Sequence, residues 1–148
     1  MHTIYDAAGG AGGMLALAHA WHQRCLADPV ANHPFTHPGQ HPLHIEHLAA
    51  YWGEALGGPP VYTGSMGSET GVLRIHAGNG AHADLDERVV SCFAAALEDV
   101  GLEGEVREAL YDYFAWSTAR MAAHPDTPDT VPAGAALPHW TWVGPAQD

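Results

Sequence analysis

The sequence predicts an all-α domain. Three observations carry that prediction: four stretches with apolar residues at helical spacing, abrupt Gly/Pro punctuation between them, and no alternating apolar–polar run long enough for a useful strand. At 148 residues the chain is one domain by length and long enough to bury a core. Its formal net charge of −12 sets 17 acidic residues against five arginines (Arg24, Arg74, Arg88, Arg107 and Arg120) and no lysine. That balance argues against nucleic acid and anionic membrane surfaces as partners. No run of about 18 apolar residues is present, so no membrane span is expected. The opening MHTIYDAAGG lacks a basic stretch, so no secretory leader is expected either, and the location predicted is cytoplasmic. Cys25 and Cys92 lack metal-type spacing and read as reduced, buried packing residues.

After a short lead containing Tyr5, Gly9-Gly10 breaks the chain. Ala11–Leu26 then reads as a helix with Met14, Leu17, Ala18, Trp21 and Cys25 on one face and His22 at its edge; Asp28-Pro29 ends it. Asn32–Gln40 is a Pro/His/Gly connection around Phe35. His41–Leu56 (HPLHIEHLAAYWGEAL) is the organising helix, with Pro42 suited to the first helical position and Gly57-Gly58-Pro59-Pro60 as the stop. Its stripe is Ile45, Leu48, Ala49, Trp52 and Leu56, with His44 and His47 at the margin. Gly57–Gly71 reads as a long loop, followed by the short apolar run Val72–His76 (VLRIH). Ala81–Val100 is a third helix, with Asp84 and Glu87 at capping-box spacing and Leu85, Val89, Phe93, Ala96 and Val100 inward. Glu103–Ala123 is the fourth, turning Val106, Leu110, Tyr113, Phe114, Ser117 and Met121 inward. The domain is placed at residues 1–125. Residues 126–148 form a Pro-rich tail whose Trp140 and Trp142 predict that part of it packs back on the body.

Twelve histidines are the unusual number. His76 is isolated at the end of a short apolar run and followed at once by Ala77-Gly78-Asn79-Gly80, which cannot continue a helix. A histidine held in that way, opposite an apolar helical face, suits an axial ligand for an iron macrocycle. The plain alternative is a surface histidine on a loop. Five histidines between 33 and 47 (His33, His37, His41, His44 and His47) raise a second reading, a helical non-haem metal site for zinc or iron. They lack finger spacing, and no H-E-x-x-H occurs.

In order along the chain, Tyr5-Asp6-Ala7-Ala8-Gly9-Gly10, Trp21-His22-Gln23-Arg24, Ala27-Asp28-Pro29, Phe35, Gly57-Gly58-Pro59, Tyr62, Leu73-Arg74-Ile75-His76, Glu87-Arg88 and Leu110-Tyr111-Asp112-Tyr113-Phe114 resemble the truncated haemoglobins, specifically their group II. The resemblance runs from Tyr5 to about Ala123. It implies a two-over-two helical sandwich around haem b, with His76 as the proximal iron ligand. It also implies a distal side built from the first long helix and the organising helix. Phe35 matches the aromatic at the haem edge, and His22 a position that is tyrosine in many members. His44 matches the distal gate, with Leu48 one turn on over the haem. Arg74, His47 and Tyr62 are the candidate partners of the haem propionates, His47 by its place on the helix and Tyr62 by resemblance. Leu73, Trp52, Phe93 and Tyr113 are counted among the residues touching the group.

Two departures stand out. The group II tryptophan after the Glu-Arg pair is matched by Ser91, and Gly78-Asn79-Gly80 with about two extra residues stands where Pro-Phe is usual. The insertion leaves His82 as a rival proximal ligand. The distal polarity expected is therefore two imidazoles, His22 and His44, with or without a hydroxyl. The function implied is binding or transport of dioxygen, with NO and CO as further ligands, at an open distal site. NO dioxygenase or peroxidase-like chemistry with an unidentified reductant, coordination of the iron by His44 itself, and a homodimer all stay open. So does a haem-free globin-like interaction module.

Overall fold

The computed structural model describes residues 2–35 and 42–146. Among them seven helices follow one another: α1 (Ile4–Ala7), α2 (Gly10–Ala27), α3 (His44–Ala55), α4 (Val61–Ser65), α5 (Glu69–His76), α6 (Ala83–Asp99) and α7 (Gly104–Met121). Short 3₁₀ turns lie at His33–Phe35 and Pro128–Thr130, and the tail closes in a two-strand antiparallel hairpin, β1 (Trp140–Thr141) with β2 (Gly144–Pro145). α2 packs on α3 and on α6, and α6 packs on α7, which gives the two-over-two arrangement of long helices.

The lead is more ordered than its sequence suggests. The Thr3 hydroxyl accepts from Asp6 N–H while the Asp6 carboxylate accepts from Thr3 N–H, a reciprocal cap for α1. α2 buries Met14, Leu17, Ala18, Trp21 and Cys25, the stripe read from the sequence. At its start Gly13 lies so close to α1 that a Cβ would fall 1.9 Å from the Ala8 carbonyl oxygen. α3 begins at His44; Pro42 and Leu43 form a turn before it, so Pro42 is not its first helical residue, and His41 lies outside the described residues. Gly57, at φ +103°, turns the chain out of the helix against the Thr3 side chain.

The expected long loop Gly57–Gly71 instead contains α4 and the first turn of α5. The buried Glu54 carboxylate accepts from both the backbone N–H and the hydroxyl of Thr63, holding α4 to the end of α3. The Ser68 hydroxyl accepts from Gly71 N–H and starts α5. Val72–His76 is thus the second half of an eight-residue helix. The Gly, Ser and Thr content that reads as loop is capping chemistry. The expected capping box of Asp84 and Glu87 does not form: His82 is the residue at the N-terminus of α6, and its Nδ1 meets Asp86 Oδ1 at 2.9 Å.

The core is aromatic at its centre. Phe93 of α6 and Phe114 of α7 stack in parallel at 4.1 Å; Trp52 of α3 meets both edge-on, and Trp21 of α2 meets Phe114 edge-on. Trp21 also donates its indole N–H to the Val89 carbonyl, satisfying the polar end of a nearly buried ring. Cys25 and Cys92 are buried free thiols. A second, smaller core gathers Leu73, Ala77 and Val131, with Met121 and Ala135 against it. In the tail, Trp140 lies against Tyr113 and Trp116, and Trp142 donates its indole N–H to the His2 carbonyl.

Candidate functional site

α2 and α3 bring three of the candidate residues together. The His22 and His44 rings lie 5.0 Å apart, edge to face, and Phe35 from the 3₁₀ turn completes the group at 5.2 Å from His22 and 6.4 Å from His44. Phe35 is itself held by Trp21, 5.2 Å away. Partial burial, and after it repulsion from His44 and then from His19, lowers the pKa of His22 below its ordinary 6.5. The ring is therefore neutral at pH 7, with one N–H to give and one lone pair to receive. Leu48, one turn beyond His44, is half-buried.

Further along α3, His47 faces Tyr62 at 6.4 Å, and Tyr62 meets Tyr51 at 5.3 Å. Tyr51 was not singled out in the sequence, although it lies seven residues after His44 and hence on the same helix face. Its hydroxyl donates to Glu69 Oε1 at 2.6 Å, and Arg120 of α7 donates to Glu69 Oε2 at 2.8 Å. Glu69 is 1% exposed. One buried carboxylate thus ties α3, α5 and α7 together at the N-terminal end of α5.

The other end of α5 is open. Leu73 is buried on the inner side, while Arg74, Ile75 and His76 are exposed, Ile75 at 77%. His76 Nδ1 lies 2.8 Å from the Val72 carbonyl one turn back. A carbonyl oxygen only accepts, so Nδ1 carries a proton, and in the neutral ring the lone pair is on Nε2. That is the tautomer a metal-binding histidine needs, and a backbone hydrogen bond at the far nitrogen makes the ligand more basic. His82, the rival, has its Nδ1 engaged with Asp86 at the start of α6.

Trp52, Phe93 and Tyr113 are at most 3% exposed inside the helical core, packed on other aromatics. Ser91 is exposed on α6. For the cluster between residues 33 and 47, His33 is exposed, and His37 and His41 lie outside the described residues; among the described residues no group of three His, Cys, Asp or Glu side chains could hold a metal ion. Two surface cavities, of about 460 and 210 Å³, lie along Arg107 and Tyr111 and beside Tyr5 and Pro59; neither is lined by a candidate site residue. No helix of the described residues is long and apolar enough to cross a membrane.

The arrangement has known counterparts. The group II truncated haemoglobin of Bacillus anthracis superposes with a TM-score of 0.73 at 22% identity, over 85% of this chain and 95% of that one. The haemoglobin of Chloroflexus aurantiacus gives 0.70 at 23% identity, over 82% and 98%. A thermostable haemoglobin of Thermobifida fusca gives 0.67 at 22%, over 90% and 100%. These likenesses show the fold. No curated protein sequence matches. The bacterial-like globin family model matches residues 3–123, nearly the whole helical body. The chain therefore belongs to the bacterial-like globins, a membership that supports a haem-based, gas-binding protein.

Proposed function

We propose that this protein holds haem b between α3 and α5, with His76 Nε2 as the iron ligand, and binds a diatomic gas on the side of His22 and His44. The observation that carries the reading is His76 itself: an exposed imidazole whose Nδ1 proton is fixed on Val72, leaving the lone pair on Nε2. Neither Cys25 nor Cys92 stands in a C-x-x-C-H attachment motif, which supports haem b over a thioether-linked haem. Bound there, haem supplies iron with a sixth position for dioxygen, NO or CO. Arg74, exposed two residues before His76, and the His47–Tyr62 pair supply cationic and hydroxyl partners for the propionates. His22, neutral, offers an N–H to a ligand on its side, and His44 offers a second imidazole 5.0 Å away.

That ring pair also favours a redox reading. Peroxide cleavage needs a group that takes a proton and returns it, and a neutral imidazole beside a second one can do both. NO dioxygenation would use the same hydrogen-bond donors, and either reaction requires a reductant. The two buried, free thiols accord with a cytoplasmic setting.

The test is the absorption spectrum of the haem-loaded protein, ferric and then dithionite-reduced, with and without CO. Beside the parent stand His76→Gly and His82→Gly. The expected result is a Soret band that shifts with CO in the parent and in His82→Gly, is altered in His76→Gly, and is restored there by added imidazole. A normal band in His76→Gly would move the ligand elsewhere. No haem uptake by the parent would sink the reading.

A further inference from the structure

The family match ends at residue 123, yet the segment immediately after it holds the helix that bears His76. The Thr70 hydroxyl donates to the Pro132 carbonyl at 3.0 Å and accepts from Ala135 N–H at 2.9 Å, so one side chain bridges two points of the tail. Val131, 4% exposed, closes over Leu73 and Ala77. Past the end of α5, Gly78 N–H donates to the His124 carbonyl and Gly80 N–H to that of Pro125, both at 2.8 Å. Gly78 adopts φ +76°, and a Cβ there would lie 3.0 Å from the Pro128 ring. Thr70, Leu73 and Ala77 form one face of α5, which the tail covers; Arg74, Ile75 and His76 are left open.

We propose that residues 124–135 are a strap that positions the proximal helix, and that Thr70 and Val131 are its positioning residues. The proposal rests on the haem reading for its consequence at His76, though not for the strap itself. A short helix of eight residues has little stability of its own, so its placement comes from what it packs on. Here the face is closed mainly by residues 124–135, outside the matched family region, with Met121 of α7 beside them. Release of that face would loosen α5 and let His76 shift and tilt at the iron.

Thr70→Val removes both hydrogen bonds at nearly constant volume, and Val131→Ala is the second variant should the first fold poorly. Trp142→Phe, which frees the far end of the tail from His2, is the control. Amide exchange in residues 69–80 and the iron–histidine stretching frequency of the ferrous protein are measured for each. Exchange should rise about fivefold to tenfold in Thr70→Val and Val131→Ala, with a shifted iron–histidine frequency and faster haem loss, and stay at the parent value in Trp142→Phe. Unchanged exchange in both strap variants overturns the strap. Faster exchange with an unshifted frequency overturns its role at the proximal ligand. A parent chain that takes up no haem defeats the gas-binding reading instead, and takes the proximal role with it.

Discussion

At the scale of single residues, the site depends on where protons sit. His22 is held neutral by burial and by His44. Its folded pKa lies below the ordinary 6.5, so below that pH the unfolded chain binds more protons than the folded one. The stability contributed is present above about pH 6.5 and is lost as the pH falls toward the folded pKa. Thermal unfolding between pH 7.5 and 5 should show this fall, and His22→Gln should flatten it. Tyr51 and Glu69 allow a second test. Removing the Tyr51 hydroxyl leaves Glu69 Oε1 buried without its donor, so Tyr51→Phe should cost about 1–3 kcal/mol in urea unfolding. An unchanged midpoint would show that water replaces the hydroxyl. Sequence could place His22 and His44 on helix faces because periodicity fixes direction. It could not find Glu69, whose partners stand 18 residues before it and 51 after.

The elements show where periodicity reads well and where it fails. The stripes of α2 and α7 were legible because long helices repeat their apolar spacing over several turns. α4 and α5 were hidden. They are short, rich in Gly, Ser and Thr, and held by side chains distant in sequence, such as Glu54 on Thr63. Within α2 two adjacent glycines should behave oppositely. Nothing lies within 4 Å of a Cβ at Gly12, so Gly12→Ala should stabilise by about 0.5–1 kcal/mol. Gly13→Ala drives a methyl into the Ala8 carbonyl and should cost more than about 3 kcal/mol. Calorimetric melting of the pair checks both signs at once, and equal melting temperatures would contradict the contact between α1 and α2.

For the whole molecule, charge is the dominant quantity. At −12 the surface favours cationic encounter partners and slows anionic ones, an effect that salt screens within about 10 Å at 0.1 M. With haem bound, reduction by a cationic one-electron donor such as hexaammineruthenium should slow as ionic strength rises, while reduction by dithionite should quicken. Parallel salt dependences would remove charge as a determinant of the reductant. Composition made this property legible in full. It could not place the tail, whose grip on α5 runs through backbone carbonyls at Pro132, His124 and Pro125 that carry no residue signature.

The placement of the tryptophans gives the molecule its own optical gauge. Trp21 and Trp52 are enclosed between α2, α3, α6 and α7, whereas Trp116, Trp140 and Trp142 are half-buried along α7 and the hairpin. Acrylamide should therefore quench the second set far more readily than the first. A rise in quenchable fluorescence without loss of the buried, blue-shifted emission would report the tail lifting from an intact helical body, with no label added to the chain.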